Sequence, residues 1–286
     1  MPVILESSYV LQSVKNALQE DIGTGDLNAA LIPAAQPAHA TIITRESGVL
    51  CGVDFAQTAF TVLDTSVVIQ WHKHDGDFLN PGETLCTITG FARALLSAER
   101  TALNFLQLLS GTATLTQAYV QKISHTNAKL LDTRKTIPGL RAAQKYAVTC
   151  GGGFNHRMGL FDAFLLKENH LLAAGSLIQA VISAKRIAPH IVLEVEVENH
   201  DELALALDAG VTRILLDNFS LADLKAAVKF TAQRALLEAS GNISLDNIAD
   251  VAQTGVDYIS VGNITKQVMP LDLSMRFVTT AYPPSP

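Results

Sequence analysis

The chain has 286 residues, 48% of them apolar, enough to bury one or two ordinary cores, which excludes a disordered protein. A formal charge of -6 and a pI near 5.7 exclude a nucleic-acid backbone or an anionic membrane as the main partner, so any anion must be bound locally. Cys51, Cys86 and Cys150 are odd in number and outside any CxxC pair, which argues for three reduced, buried thiols rather than a disulfide framework or a zinc site.

The opening stretch, Met1-Pro2-Val3-Ile4-Leu5-Glu6, has no cationic flank followed by an apolar core, and no segment stays apolar long enough to span a bilayer. The cytoplasm is the expected address. From Thr41 to Gly90 short strands broken by turns are predicted, as in Ala40-Thr41-Ile42-Ile43 and Val67-Val68-Ile69-Gln70-Trp71, which reads as α+β. The stretch from Asp75 to Leu85 resembles the hairpin of biotinyl and lipoyl carriers, but no lysine sits on a following turn, so it is read as a Gly and Pro turn. His72 and His74 lack the remaining ligands of a metal site and are read as surface residues.

Ala94, Leu95, Ala98, Ala102, Phe105, Leu106 and Leu109 recur at helical spacing, predicting a largely buried helix from Phe91 to Ser110 that Gly111 ends. Arg100 on this helix has two readings, an ion pair with Glu99 or another carboxylate, or a finger that binds a ligand carboxylate.

Six short apolar runs follow, most of them separated by a helix-like segment: Lys129-Leu131, Ala163-Leu166, Ile191-Val195, Arg213-Leu216, Ala235-Ala239 and Tyr258-Val261. They finish in Asp132 with Arg134 and Lys135, then Lys167, Glu196, Asp217, Ser240 with Gly241, and Gly262; from Lys167 onward the ends recur 29, 21, 23 and 22 residues apart. That spacing fits a strand, a crossover helix and two loops, hence parallel strands. In a parallel barrel all such ends meet on one rim and face one cavity. An open doubly wound sheet is the alternative, but no GxGxxG fingerprint follows the first strand. Glu194, Glu196 and Glu198 fall on one strand face, with Glu196 nearest the rim. A solvated edge is the plainer reading of Glu196, and a helix N-cap that of Asp217.

Charge is concentrated from Asp132 to Lys167. Arg134, Lys135 and Arg141 surround a Pro-Gly turn after Thr133, and the loop from Gly151 to Gly153 leads to His156 and Arg157. A solvated basic loop is the commoner outcome for one such run. In an acidic chain beside apolar strands, mutual repulsion calls instead for a bound anion or nearby carboxylates. Arg suits carboxylates and Lys phosphate oxygens. Ser240-Gly241-Asn242 and Val261-Gly262-Asn263 carry little side-chain bulk and can offer backbone N–H groups to a phosphate.

Glu99-Arg100-Thr101-Ala102-Leu103-Asn104, Asp132-Thr133-Arg134-Lys135-Thr136, Gly151 to Leu160 and Lys167-Glu168-Asn169-His170, in this order, resemble the quinolinate phosphoribosyltransferase family. The likeness runs from Glu20 to Gly262. It implies an α/β protein: an N-terminal α/β sandwich (α+β) over residues 1–110 and an incomplete parallel α/β barrel over 111–269, with 270–286 packing back on the first domain. It implies an enzyme of NAD biosynthesis that joins quinolinate to phosphoribosyl pyrophosphate and releases diphosphate and carbon dioxide with Mg2+. It further implies a homodimer, or a hexamer built from it, with Arg100 completing the neighbouring site.

By the same resemblance Arg134, His156, Arg157 and Lys167 join Arg100 on the dicarboxylate. Thr133, Lys135, Glu196 and Asp217 face the ribose, the diphosphate and magnesium, which the two carboxylates hold directly or through water or substrate. Lys135, Lys167, Glu196 and Asp217 are the catalytic set. Ser240, Gly241, Asn242, Val261, Gly262 and Asn263 take the 5'-phosphate. Asn28, Ile137, Asn263 and Lys266 depart from the commoner family pattern, and Lys266 would add a cation near the phosphates. A non-catalytic ligand sensor and a phosphoribosyltransferase acting on nicotinate or on a metal-transport ligand are the rivals. The tail from Tyr282 to Pro286 is expected to be mobile.

Overall fold

In the computed structural model, residues 3–278 are described, so the tail from Tyr282 to Pro286 lies outside them. In chain order the elements are α1 (Ser7–Ile22), β1 (Pro37–Thr44), β2 (Gly48–Val49), α2 (Val53–Leu63), β3 (Val68–Trp71), β4 (Phe78–Leu79), β5 (Thr84–Phe91) and α3 (Ala92–Ile123). There follow β6 (Lys129–Leu131), α4 (Arg141–Cys150), β7 (Ala163–Leu166), α5 (Glu168–Ala174), α6 (Leu177–Ile187), β8 (Val192–Val197), α7 (His200–Asp208) and β9 (Arg213–Asp217). The last are α8 (Leu221–Thr231), β10 (Leu236–Ser240), α9 (Ile248–Ala252), β11 (Tyr258–Ser260), α10 (Asn263–Lys266) and β12 (Leu273–Phe277).

The chain forms two compact units. One comprises 3–115, 142–151 and 268–278. Its antiparallel sheet has the order β12-β1-β5-β3, and β2 pairs with β4. The alternation of β1 puts Ala40, Ile42 and Thr44 inward, a period of two that fits a half-buried strand. Ile42, Leu85 and Ile88 of the sheet and Val14, Phe55, Phe60, Leu95 and Leu106 of the helices are buried, and Phe55 stacks on Phe105 at 4.8 Å. The stretch from Asp75 to Leu85 is not one turn: Asp75-Gly76 and Pro81-Gly82 turn on either side of β4, and Thr84 and Leu85 open β5; His72 and His74 are exposed.

One boundary differs from the sequence reading. Gly111 does not end α3, which runs on to Ile123. A Cβ at Gly111 would collide with the Met269 carbonyl, so this glycine serves a close backbone approach within the helix rather than its termination. Arg100 is not buried with the apolar face of α3 either; it is exposed.

The other unit comprises 116–141 and 152–267. Six parallel strands lie in the order β6-β11-β10-β9-β8-β7, one for each of the six apolar runs. β6 and β7 are the edges, so the barrel is incomplete. Val195, Val197, Ile214, Leu216, Leu237, Ala239 and Ile259 fill its buried layers. Crossover helices begin at side-chain caps where Ser or Asn oxygen accepts an N–H: Ser176 for α6, Asn199 for α7 and Ser220 for α8. The cap of α8 being Ser220, Asp217 is left at the end of β9 and is not the helix cap. No helix among the described residues is long and apolar enough to cross a membrane.

Candidate active site on the barrel rim

The register of the parallel strands aligns their polar ends. Asp217 pairs with Ser240 across β9 and β10, and Glu196 stands opposite Leu215 across β8 and β9. A cavity of about 440 Å³ opens there, lined by Thr133, Arg134, Lys135, His156, Arg157, Lys167, Glu196, Asp217, Glu238, Ser240 and Ser260, with Leu165 and Leu215 as apolar wall. Glu196 and Asp217 are half-buried in it, so Glu196 is not on a solvated edge. A second cavity of about 350 Å³ shares Thr133, Lys135, Ser240 and Ser260 with the first and is bounded by Gly241, Asn242, Val261, Gly262, Asn263 and Lys266. Residues spread over more than a hundred positions thus reach one continuous rim. Arg100 belongs to the other unit.

The loops are held by groups that do not line the cavity. Asp132 is fully buried at the end of β6; its Oδ1 accepts His156 N–H at 2.9 Å and its Oδ2 accepts Asn155 Nδ2–H at 2.7 Å. Arg141 is not a ligand-facing cation: it donates to Thr136 Oγ1, the Met158 carbonyl and the Arg134 carbonyl at 3.1, 3.2 and 3.4 Å. It thereby ties the Arg134 loop to the one carrying Arg157. Gly241 has φ +96, and a Cβ there would overlap the Asn218 side chain, so the Ser240-Gly241-Asn242 turn depends on its missing side chain.

The cations divide by their partners. Lys167 Nζ contacts Glu196 Oε2 as an ion pair. Arg157 donates to the Ala163 carbonyl at 3.2 Å, which leaves other guanidinium donors for the cavity. Burial, then the Arg134 charge, lowers the Arg157 pKa, with Asp162, Glu194 and Glu196 opposing. Two positive side chains therefore crowd one wall.

Beneath the rim lies a charged group that the sequence reading missed. Arg213 donates to Glu194 Oε1 at 3.0 Å and to Glu238 Oε2 at 2.9 Å. His156 Nε2 faces Glu194 Oε2 at 2.9 Å and Glu238 Oε1 at 3.5 Å. Glu194 and Glu238 are 2% and 0% exposed, too buried to be solvated alone. Burial pushes the Glu238 carboxyl up to about 7, helped by the Glu194 charge. Burial also raises Glu194, but the His156 hydrogen bond and the His156 and Arg213 charges together bring it below its ordinary value. For His156 burial acts downward and is outweighed by the Glu194 hydrogen bond and the two carboxylate charges, so its pKa rises. Arg157 N–H donates to His156 Nδ1 at 2.7 Å, which places the ring proton on Nε2, toward Glu194. A second proton therefore requires Nδ1 to give up that amide. A signal existed in the sequence: Glu194 and Glu238 interrupt apolar runs, and Arg213 opens another, where strands buried in a parallel sheet are expected to be apolar.

Fold and rim define an open parallel α/β-barrel protein with a cavity lined by cationic and acidic side chains at its C-terminal strand ends. The chain matches the family described as "Quinolinate phosphoribosyl transferase, N-terminal domain" over residues 24–110 and the corresponding C-terminal domain over residues 112–276. It is 43% identical over 257 residues to a probable nicotinate-nucleotide pyrophosphorylase (carboxylating) of Bacillus subtilis, covering 90% of this chain and 89% of that one. It is 42% identical over 273 residues to the nicotinate-nucleotide pyrophosphorylase (carboxylating) of Mycobacterium leprae, covering 92% and 95%. The solved structure of the nicotinate-nucleotide pyrophosphorylase from Francisella tularensis superposes with a TM-score of 0.95 at 47% identity, covering 97% of this chain and 99% of that one. The chain belongs to the quinolinate phosphoribosyltransferase family.

Proposed function

We propose that the chain transfers the phosphoribosyl group of phosphoribosyl pyrophosphate to quinolinate with decarboxylation, giving nicotinate mononucleotide, diphosphate and carbon dioxide for NAD biosynthesis. The observation that carries this reading is one cavity in which Arg134, Lys135, His156, Arg157 and Lys167 converge beside Glu196 and Asp217, continuous with the turns at Ser240 and Gly262. Arg134, His156, Arg157 and Lys167 hold the dicarboxylate, and exposed Arg100 of a second copy completes the grip. Thr133, Lys135, Glu196 and Asp217 face ribose and diphosphate. Ser240, Gly241, Asn242, Val261, Gly262 and Asn263 cradle the 5'-phosphate, with Lys266 beside them.

Glu196 and Asp217 offer hard oxygen donors on paired strands β8 and β9. With lysines for the phosphate oxygens, this donor set fits Mg2+, which takes one or two carboxylates and keeps water and substrate oxygens. When bound, magnesium neutralises charge on the departing diphosphate.

In the reaction the ribose C1–oxygen bond breaks toward diphosphate while the pyridine nitrogen bonds C1, through an oxocarbenium-like state. Lys135 stabilises the leaving oxygens. The carbon–carbon bond to the carboxylate beside the new pyridinium then breaks, carbon dioxide leaves and the ring carbon takes a proton. No enzyme nucleophile is required; the rim supplies orientation and charge. Three free thiols suit a reducing compartment, and we assign the enzyme to the cytoplasm.

The test gives purified protein quinolinate, phosphoribosyl pyrophosphate and magnesium and measures carbon dioxide and nicotinate mononucleotide. Equal turnover of nicotinate would sink the dicarboxylate assignment, and binding without turnover would support a sensor. Mixing inactive Arg100→Ala and Lys167→Ala chains tests the dimer: restored activity requires one site to receive both intact residues.

A further inference from the structure

A second group of reactive side chains lies in the sandwich unit and takes no part in the reaction above. Cys51, between β2 and α2, is 0% exposed. Its S–H donates to Cys150 Sγ at 3.8 Å, at the C-terminal end of α4, where Cys150 is only partly buried. The Ser110 hydroxyl accepts Cys51 N–H at 2.9 Å and donates to the Cys51 carbonyl at 3.2 Å, fixing that backbone. Asp75 stands beside the sulfurs, and one ligand atom from each of Cys51, Asp75 and Cys150 lies within 4.8 Å of the others.

Two chemistries compete for such a group, a soft metal ion and a dithiol. Asp75 is already engaged: Oδ1 accepts Val53 N–H and Oδ2 accepts Tyr146 O–H, both at 3.1 Å. Structural zinc takes four donors, and the group offers three. The sulfurs are unequal in the way exchange chemistry uses. The hydrogen bond from Cys51 lowers the Cys150 thiol pKa against burial and the Asp75 charge, while burial raises Cys51. The partly accessible thiol is thus the readier thiolate, and the buried one stays protonated behind it.

We propose that Cys51 and Cys150 form a reversible dithiol–disulfide couple that reacts with low-molecular-weight disulfides. The Cys150 thiolate attacks such a disulfide, forming a mixed disulfide and expelling one thiolate. Cys51 loses its proton and attacks the Cys150 sulfur, expelling the second. Two protein thiols become one disulfide, one small disulfide becomes two thiols, and the protein's two thiol protons end on the released thiols. Closure draws the sulfurs from 3.8 Å to bonding distance, and with Cys51 clamped by Ser110 it is the end of α4 that must move. The next residues in the chain are Gly151-Gly152-Gly153, followed by Phe154, Asn155, His156 and Arg157. Oxidation is therefore expected to lower phosphoribosyl transfer, a consequence that rests on the function proposed above; the covalent couple does not.

The experiment treats the reduced full chain with excess oxidised glutathione, then alkylates it and maps it by mass spectrometry. Of the three thiols only Cys86, which burial pushes up to about 12, should remain, with the peptides of Cys51 and Cys150 joined. Cys86→Ser should still close, whereas Cys150→Ser and Cys51→Ala should not, and reductant should restore both thiols. Persistence of three thiols, or glutathione adducts alone, in protein with native circular dichroism would overturn the couple. So would one equivalent of zinc in the purified protein whose removal alone exposes Cys51 and Cys150. A joined pair with undiminished turnover would overturn only the link to catalysis, while a reduced protein without turnover counts against the function and not against the couple.

Discussion

Arg157 and Arg213 sit in the same barrel and differ in what surrounds them. Arg213 is enclosed by Glu194 and Glu238, whose charges outweigh burial and raise its pKa, whereas Arg157 is lowered by burial and by neighbouring Arg134. One arginine is a counter-ion for buried carboxylates; the other shares its wall with Arg134, while Asp162, Glu194 and Glu196 oppose the downward effect of burial and that neighbouring charge. The difference separates a cation that holds the barrel together from those to which the proposed function assigns an anion. It also explains His156, which touches both groups: two buried carboxylates lie on its Nε2 side, and its ring is among the residues lining the cavity.

That contrast can be broken most forcefully at Arg213. Arg213→Leu leaves two buried carboxylates facing each other and should cost about 3–5 kcal/mol of stability, read from denaturant unfolding. An unchanged midpoint would mean that the quartet is not structural. Lys135→Ala should do the opposite, leaving the melting temperature in place while lowering kcat about 10²- to 10³-fold, as for other groups that meet charge developing in a transition state. A parallel fall in stability would erase the distinction between rim and support.

The pH dependence of stability sharpens the buried side. Glu238 titrates at 4.5 when unfolded and at about 7 when folded, so between these values the folded chain holds a proton that the unfolded chain has lost. Stability should therefore fall as pH rises through that window. Glu238→Gln cannot ionise and should decline less over the same interval in thermal melts; an identical slope would deny Glu238 its part. The smallest effect is expected at Lys266→Ala, a roughly twofold to tenfold rise in KM for phosphoribosyl pyrophosphate with kcat kept, since an exposed cation beside phosphate is screened by solvent. A change in KM for quinolinate instead would put Lys266 on the wrong side of the rim.

The rim residues were legible because parallel strands leave a repeated mark: a short apolar run, then a polar residue where the strand meets the loop. That mark alone picks out Lys167, Glu196, Asp217 and Ser240. Arg141 was grouped with the cations of the site because spacing does not distinguish a guanidinium that spans two loops from one that faces a ligand. Only its three hydrogen bonds to Thr136, Met158 and Arg134 separate the two roles.

What the sequence by itself determined is local and periodic: the strands, the turns between them, the apolar stripe of α3 and the polar strand ends. The rest was decided by encounters between residues far apart in the chain. Gly111 reads as a helix stop until the Met269 carbonyl is found against it, and Cys51 and Cys150 read as unrelated thiols until their sulfurs stand 3.8 Å apart. Glu194, Arg213 and Glu238 read as charges in separate strands until the register brings them around His156. Propensity and periodicity act within a few residues, whereas the cost of burying a charge can be met only by a partner that the fold brings near.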